Sequence, residues 1–329
     1  MVVLSMELKV GFIGCGGIAK RHMANLSKLE GVKLAAFCDV VPKKAVEAAL
    51  TYGGRAYSDY RGMLRREELD AVYVCTPPYA HGFEVEVAER GIHLFVEKPV
   101  AMDLRTALEV ERAIEKAGVL SSVGYMLRYS DLTELMRSKL RGEGPPGMVL
   151  GYLIDNFKLP LDHWVLDRSK SGGQVVEHTT HIFDLARYVV GDVSRVYAEF
   201  DNILLRDIPG ITMENEAITI LRFKNGAVGV VCGIWSSPDT HTFMRLEVYC
   251  KDVVLEHGVH YLRVYSRDEV YERRSNVDFY MEEDRAFVEA VRKDRPELIK
   301  CPYEDGVKTL KVTLAANEAA STGRVVAVD

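Results

Sequence analysis

The segment GFIGCGGIA, residues 11–19, decides the fold of the first part of this chain. It places the pattern Gly14-x-Gly16-x-x-Ala19 between an apolar run, LKVGFIG, and a stretch with helical spacing. Glycine at 14 permits a tight turn, glycine at 16 lets the backbone approach a pyrophosphate, and a small residue at 19 lets the helix lie close to the strand. The helix N-terminus would face the phosphate charge. The pattern predicts a dinucleotide site, and a glycine-rich turn without a ligand is the alternative.

Asp39 supports the same interpretation. It ends the next predicted strand, VKLAAFCD (32–39), where a carboxylate would hydrogen-bond the adenosine ribose hydroxyls. The same carboxylate would repel a 2′-phosphate, which favours NAD over NADP as the cofactor. Lys43 and Lys44 follow closely and weaken that preference. A solvent-facing turn residue is the alternative role for Asp39.

Strand and helix patterns alternate regularly over the first part of the chain. Further strands are predicted at AVYVCTPP (71–78), IHLFVEKP (92–99) and VLSSVGY (119–125). Repeated β-α units of this kind form a doubly wound parallel sheet with right-handed crossovers. The sequence therefore predicts an α/β Rossmann domain over residues 1–121.

After residue 121 long alternating strands dominate. EAITILRF (216–223) and AVGVVCGIW (227–235) are joined through Asn225-Gly226, a strong hairpin signal. Apolar residues occupy both odd and even positions of these strands, whereas a sheet with one covered face needs them at alternate positions only. We therefore expect an α+β domain over residues 122–329 with a large open antiparallel sheet, through which a homodimer or homotetramer forms. The C-terminal helix is a candidate to pack back on the first domain.

Composition narrows the class of protein. The 329 residues include 42 basic and 48 acidic side chains, a net charge of −6, which argues against nucleic acid as the main partner. The six cysteines are scattered without a CxxC pair, so neither a disulfide framework nor a structural zinc site is expected. No run is long enough to span a bilayer, and the start lacks a secretory signal. We expect a cytoplasmic protein.

Two further motifs end predicted strands at the edge where such folds bind ligands. In CTPPYAH (75–81) the prolines hold the backbone extended, and His81 could cap the next helix or face the cofactor. In VEKPVA (96–101), Lys98 could transfer a proton beside a nicotinamide, with a surface ion pair of Glu97 and Lys98 as the alternative. The residues expected to contact the cofactor are Gly14, Gly16, Gly17, Ile18, Ala19, Asp39, Thr76, Pro77, His81, Glu97 and Lys98.

The segment EHTTH, residues 177–181, leaves three interpretations open. A zinc site is disfavoured because His178 and His181 are spaced i, i+3, whereas zinc-binding helices usually offer histidines at i, i+4. Glu177 and His181 are spaced i, i+4 on a predicted helix and share a face, which suits an acid/base pair. His178 is rotated by about 100° from Glu177. Two half-exposed surface histidines are the third interpretation, and no metal is expected.

Together these motifs resemble the Gfo/Idh/MocA family of NAD(P)-dependent oxidoreductases. The resemblance covers nearly the whole chain, including GFIGCGGIAKRH, VCTPPYAH, LFVEKPVA, GYMLRYS and SGGQVVEHTTHIFDLARYVVG. The EKP tripeptide at its distance from the glycine loop is the most distinctive element. The resemblance implies a Rossmann domain followed by a sheet domain that often forms dimers or tetramers, and activity on sugars, cyclitols or related polyols.

The resemblance also implies the catalytic residues. The lysine of EKP and a histidine on the helix after a GG turn face the nicotinamide and the substrate, and here these are Lys98 and His181. An aspartate one turn before the histidine is common in the family, whereas this chain has Glu177. The residues expected to bind the polyol are Arg128, on resemblance alone, with Lys158, Trp164, Arg168 and His178.

The favoured function is hydride transfer between NAD(H) and a secondary alcohol or ketone of a sugar, cyclitol or polyol. Two alternatives remain. One is an NAD-dependent glycoside hydrolase that recycles NAD in each turnover, and the other is a non-catalytic dinucleotide sensor. The pairing of Lys98 with His181 argues against the sensor, which has no need of both.

Overall fold

The computed structural model describes residues 7–156 and 158–329, which form two compact units. The first unit comprises residues up to 101, residues 105–126 and residues 278–305. The second comprises residues 102–104, 127–277 and 306–329. The domain limits 1–121 and 122–329 stay a prediction, and the contact-based units differ from them in assigning residues 278–305 to the first unit.

The chain has helices in both units. They are α1 (Gly17–Leu26), α2 (Pro42–Tyr52), α3 (Tyr60–Arg66), α4 (Glu84–Ala88), α5 (Leu104–Ala117), α6 (Asp131–Leu140), α7 (Arg168–Ser171), α8 (Thr180–Val190), α9 (Phe279–Lys293) and α10 (Tyr303–Thr322). In the part of the chain that the structure describes, none of them combines the length and apolar character needed to cross a membrane.

A six-stranded sheet organises the first unit. Its strands are β1 (Leu8–Ile13), β2 (Val32–Cys38), β3 (Arg55–Tyr57), β4 (Ala71–Val74), β5 (His93–Val96) and β6 (Ser121–Val123). They pair in parallel in the order β3-β2-β1-β4-β5-β6, the doubly wound arrangement of dinucleotide-binding domains. The Rossmann prediction is confirmed.

The core of this unit explains the continuous apolar strands. Every residue of β4 is buried, as expected of a parallel strand that is covered on both faces of its sheet. Phe12, Tyr73 and Phe95 stack across β1, β4 and β5, with ring centroids 5.0 Å and 4.5 Å apart. Phe287 of α9 meets Tyr73 and Phe95 edge-on. Aromatic pairs in these geometries add to the free energy gained by burial, so α9 is an integral part of the first unit.

A nine-stranded sheet organises the second unit. Its strands are β7 (Met148–Ile154), β8 (Val193–Asp201), β9 (Glu216–Phe223), β10 (Val228–Ile234), β11 (Phe243–Tyr249), β12 (Val254–Gly258), β13 (Tyr261–Tyr265), β14 (Val270–Arg274) and β15 (Val326–Ala327). The order is β14-β13-β12-β11-β7-β10-β9-β8-β15. The predicted antiparallel sheet is confirmed except for β7 and β10, which pair in parallel. The β8–β9–β10 meander inserts its last strand beside β7, so those two strands run in one direction.

The two faces of this sheet differ. On one face α8 packs against β7. The approach is so close that a Cβ added at Gly151 would lie 2.5 Å from the side chain of Ile182. The other face stays partly exposed and apolar, with Ile218 and Ile220 of β9 about half exposed at 54% and 50%. Val230 and Cys232 lie directly beside them on β10. The apolar residues at both parities therefore correspond to one covered and one exposed face.

Candidate active site

The glycine loop between β1 and α1 has the conformation that its sequence predicts. Gly14 has a φ of +90°, and a Cβ there would lie 2.4 Å from the carbonyl oxygen of Cys75, so only glycine fits. At Gly16 and Gly17 an added Cβ would meet nothing within 4 Å. This open space lies at the N-terminus of α1, where no side chain caps the first backbone N–H groups. The loop can therefore accept a pyrophosphate against the helix N-terminus.

Asp39 fixes the same loop from the end of β2. Its side chain is buried, Oδ2 accepts a hydrogen bond from Cys15 N at 2.8 Å, and Oδ1 accepts one from Val41 N at 2.8 Å. The carboxylate therefore ties the second strand to the glycine loop. Sequence reasoning missed this positioning role. The predicted contact of Asp39 with a ribose stays a prediction.

The end of β4 carries a second polar group. Within residues 7–156 and 158–329, the buried Oγ1 of Thr76 has no hydrogen-bond partner, which leaves it available to a ligand. His81 Nε2 lies 3.2 Å from Thr76 O, and Nδ1 lies 2.7 Å from Glu84 Oε1. Burial lowers the pKa of His81, but the carboxylate of Glu84 outweighs it and raises that pKa above its usual value. His81 therefore anchors α4. Contacts of Thr76, Pro77 and His81 with the cofactor stay predictions.

Glu97 and Lys98 follow β5. Glu97 is buried, with Oε1 lying 3.0 Å from His22 Nε2 and Oε2 accepting a hydrogen bond from Lys98 N at 3.1 Å. The Lys98–Pro99 peptide is cis. A Cβ at Gly124 would lie 2.8 Å from the Glu97 carboxylate, so that glycine leaves the room for it. Glu97 thus points into the first unit and holds the backbone of Lys98. The alternative prediction of a surface ion pair is wrong, because the Glu97 side chain is buried.

These features of the first unit fit a dinucleotide. Gly16 and Gly17 leave open space where a pyrophosphate would approach, and no side chain caps the backbone N–H groups at the start of α1. The buried hydroxyl group of Thr76, at the end of β4, is available to a ligand. Gly14, Gly16, Gly17, Ile18 and Ala19 would hold the phosphates, and Asp39 would face the adenosine ribose.

The EHTTH segment of the second unit is not a regular helix. Residues Val175–Thr179 form a π-helical turn, and α8 begins at Thr180. Glu177 and His178 lie in that turn, whereas His181 is a buried residue of the first turn of α8. The uninterrupted helix predicted from the sequence is wrong here. Single π-turns within helices are rare, but those that occur are often at functional sites. The π-turn therefore supports this segment as a candidate functional site.

The turn before the segment is held by a carboxylate that sequence reasoning missed. Gly173 has a φ of +98°, and a Cβ there would lie 2.4 Å from Glu214 Oε2. Glu214 Oε1 accepts a hydrogen bond from Val175 N at 2.9 Å, and Arg168 Nη1 pairs with Oε2. Burial raises the pKa of Glu214 although Arg168 opposes that rise. Glu214 therefore fixes the entry into the π-turn. Arg168, a predicted substrate ligand, is the partner that holds it.

His178 has partners of its own. Its ring stacks on Trp235 with centroids 4.6 Å apart and planes 13° apart, and Nε2 lies 3.1 Å from Asp155 Oδ2. Burial raises the pKa of Asp155, but the hydrogen bonds with His178 and Asn156 N and the nearby positive charge together outweigh it and hold that pKa below its usual value. Among the described residues, no group of three or more potential ligands could hold a metal ion. His178 therefore has a structural role, and its substrate contact stays a prediction.

The remaining predicted substrate ligands differ in exposure. Arg128 is only 1% exposed and binds Asp184 through two hydrogen bonds, Nε–Oδ2 at 2.8 Å and Nη2–Oδ1 at 2.6 Å. This geometry gives Arg128 a structural role. Lys158 Nζ donates to Asp239 Oδ2 at 2.7 Å on the surface. Trp164 packs at the edge of a small apolar cluster. The contacts of Arg128, Lys158 and Trp164 with a substrate stay predictions.

Comparison with known proteins identifies a family and relatives that this chain resembles. An oxidoreductase family with an NAD-binding Rossmann fold matches residues 8–125, and the C-terminal domain of the same GFO/IDH/MocA family matches residues 148–256. Myo-inositol 2-dehydrogenase of Thermotoga maritima is 28% identical over 340 residues, covering 98% of this chain and 99% of that relative. Levoglucosan dehydrogenase of Pseudarthrobacter phenanthrenivorans is 25% identical over 317 residues, covering 85% of this chain and 78% of that relative.

The fold has counterparts among solved structures. Levoglucosan dehydrogenase in complex with NADH and levoglucosan aligns over 98% of this chain and 99% of that chain, with a TM-score of 0.88 at 20% identity. At that identity the likeness shows a shared fold. With both family models matched and the glycine loop in place, the chain belongs to the Gfo/Idh/MocA family of oxidoreductases and carries its NAD-binding Rossmann domain.

Proposed function

We propose that this protein is an NAD-dependent dehydrogenase that oxidises a secondary alcohol of a sugar, cyclitol or related polyol. The observation that carries the proposal is Lys98, which follows β5 of an NAD-binding unit and is fixed there through its backbone by Glu97. The substrate class is supported by the inositol and levoglucosan dehydrogenases among the relatives.

Each residue has a proposed chemical role. When bound, NAD supplies the acceptor for a hydride. Lys98 donates a hydrogen bond to the oxygen on which negative charge develops as the hydride leaves. His181 accepts the hydroxyl proton as a general base. Glu177 orients His181 or binds a neighbouring hydroxyl group of the polyol.

Side chains on the loop before the GG turn suit a polyol. Trp164 offers an aromatic face for a sugar ring, and Lys158 offers hydrogen bonds. Arg168 is half-exposed while it holds Glu214, so part of its guanidinium can reach a ligand. His178 would lie at the edge of this group. Arg128 acts through Asp184 and α8 in this proposal.

Association through the exposed sheet face is part of the proposal. This face carries Met148, Ile218, Ile220 and Val228 in adjacent strands, each more than a third exposed. Burying these residues against the same face of a second subunit removes apolar surface by a two-fold contact. Light scattering should show a dimer or tetramer at micromolar concentration, and Ile220→Glu should dissociate it. A monomeric wild type would contradict this. All six cysteines are free thiols, as a reducing cytoplasm would keep them.

A substrate panel tests the function. Inositols, other polyols, aldoses and keto-sugars are each offered with NAD and with NADP, or their reduced forms, and absorbance of the reduced nicotinamide is followed. We expect turnover with NAD for at least one polyol and weaker turnover with NADP, because Asp39 would repel a 2′-phosphate. NAD retained through purification with glycoside cleavage and no net NADH would instead identify a glycoside hydrolase. NADH binding without any turnover would identify a sensor.

A further inference from the structure

A buried imidazole lies next to the residue that holds Lys98. His22 of α1 is fully buried, and both of its ring nitrogens face carboxylates of the first unit. Nδ1 lies 2.7 Å from Asp284 Oδ1, and Nε2 lies 3.0 Å from Glu97 Oε1. Asn25 Nδ2 donates to the second oxygen of Asp284 at 2.9 Å. The first unit thus encloses an uninterrupted polar chain from α9 to the end of β5.

The two carboxylates determine the protonation state of His22. A neutral imidazole can donate from one ring nitrogen only, whereas an imidazolium donates from both. Burial lowers the pKa of His22, but Asp284 and Glu97 outweigh it and raise that pKa to about 10. Glu283, the neighbouring residue of α9, is a further buried carboxyl group. At neutral pH the ring therefore carries a positive charge with a carboxyl group on each side, and each contact is a charge-assisted hydrogen bond.

Glu97 connects His22 to the backbone of Lys98. One of its oxygens meets His22, and the other accepts from the backbone N–H of Lys98 at 3.1 Å. The carboxylate fits at this place because Gly124 has no side chain: a Cβ there would lie 2.8 Å from it. His22 also lies on α1, the helix that begins at the glycine loop. The same helix is thus joined to the phosphate-binding loop and to the backbone of Lys98.

We propose that His22 and Asp284 are positioning residues for hydride transfer: the imidazolium holds Glu97, and Glu97 holds the backbone of Lys98. The proposal rests on the proposed role of Lys98. If the ring loses its second donor, Glu97 is left as a buried carboxylate with an unpaired oxygen, and it must shift or take up a proton. Displacement of a catalytic group by an ångström can lower turnover by about 10²-fold.

Conservative substitutions test the proposal on the full chain. Asp284→Asn and Glu97→Gln keep the shape of the side chain, His22→Gln keeps a neutral polar side chain of similar length, and each removes part of the charge network. Gly124→Ala displaces Glu97 without changing any charge. Phe287→Leu, one turn after Asp284 on α9, is a matched control that perturbs the same core without touching the network. For each variant, kcat, KM, the Kd of NADH, the melting temperature and the amide resonance of Lys98 are measured.

We expect His22→Gln and Asp284→Asn to lower kcat by roughly ten- to a hundredfold, with KM and the Kd of NADH near wild type. The Lys98 amide resonance should move in both variants and stay in place in Phe287→Leu. Losses of kcat no larger than those of Phe287→Leu, with an unmoved Lys98 resonance, would overturn the inference.

Ring protonation separates this inference from the proposed function. In the wild type, nitrogen NMR should find both nitrogens of His22 protonated at pH 8, whether or not any polyol is oxidised. A substrate panel without turnover would contradict the proposed function. The ring resonances of His22 and the amide resonance of Lys98 would still test the positioning inference. A His22 ring with a single N–H at pH 8 would overturn the inference whatever the activity.

Discussion

The glycine loop of the first unit and the EHTTH segment of the second unit are built in different ways. At the loop, the backbone itself forms the predicted binding surface: Gly14 has a positive φ, and α1 presents its own N–H groups. In the EHTTH segment, side chains from distant positions set the shape. Glu214 holds the GG turn, and Trp235 and Asp155 hold His178. A short sequence pattern can encode the first arrangement except for its support by Asp39, and the second only in part.

This difference bears on what each region contributes. A site made of backbone tolerates many sequences around it, so one fold can bind NAD in many proteins. A site made of converging side chains can change its substrate by changing a few residues, such as Glu177, which stands where the family commonly has an aspartate. The first unit therefore identifies the cofactor, and we propose that the second carries the substrate preference.

The largest expected effect comes from removing the proposed acid/base residues, one from each unit. Lys98→Ala and His181→Ala should each lower turnover by roughly two to four orders of magnitude. Both variants should bind NADH normally, because the glycine loop and Asp39 are unchanged. The double variant should lose much less than the product of the single losses if, as proposed, both groups act in the same chemical step.

His178→Ala is the control for that measurement. Its ring is held by Trp235 and Asp155, so its loss should reduce stability more than turnover. Activity that is lost on chelation, is restored by zinc and falls equally in His178→Ala and His181→Ala would show that a metal site, and not an acid/base pair, occupies this segment.

Two glycine substitutions should separate the units. Gly14→Ala should weaken NADH binding at least about tenfold, because the new Cβ would clash with a backbone carbonyl in a strained conformation. Gly173→Ala should lower turnover and leave NADH binding near wild type, because its Cβ would displace the Glu214 carboxylate. Titration of NADH fluorescence and steady-state kinetics measure the two effects.

Two other glycines control for backbone strain alone. Gly91 in the first unit and Gly226 in the second have φ values of +74° and +96°, and a Cβ at either would meet nothing within 4 Å. Their alanine variants should cost stability and change neither NADH binding nor turnover. If Gly173→Ala abolished NADH binding as Gly14→Ala does, the division of roles between the units would be wrong.

The smallest predicted effects are opposite pH dependences of the two units. The pKa of His22 is raised to about 10, so its contribution to stability is complete below pH 6.5 and is lost as the pH rises toward 10. Burial lowers the pKa of His257 in the second unit to about 4, so its contribution is complete above pH 6.5 and is lost as the pH falls toward 4. Each loss should amount to at least about 1 kcal/mol.

Denaturant titrations from pH 4 to pH 10 measure both slopes. His22→Gln should flatten the alkaline slope and His257→Gln the acid slope, each without affecting the other. An alkaline slope that is unchanged in His22→Gln would mean that His22 is neutral in the folded protein.

The same contrast explains what the sequence could predict. The parallel sheet, the glycine loop and the position of Lys98 follow from patterns within a few residues. The parallel pairing of β7 with β10 could not be predicted, because pairing between distant strands leaves no local trace. The π-turn at Glu177 and the carboxylate of Glu214 depend on tertiary contacts in the same way.

The buried network around His22 left a signal that could have been used. His22 falls on the buried stripe of α1, and Glu283 and Asp284 fall on the buried side of α9. A titratable residue in an apolar stripe requires a partner, so a histidine and two carboxyl groups on core-facing positions predict one another. Only the structure shows that Asp284 and Glu97, the residue before Lys98, are the two carboxyl groups that face the ring nitrogens of His22.

Direct transfer of hydrogen from the polyol carbon to the nicotinamide is the central claim, and isotope labelling tests it most directly. The polyol found in the substrate panel is prepared with deuterium on its carbinol carbons and incubated with NAD and the wild-type protein. Proton NMR should find one deuterium at the reactive ring carbon of NADH and an equal amount of the keto product. NADH without deuterium, or a changed substrate with no reduced cofactor, would contradict hydride transfer by this protein.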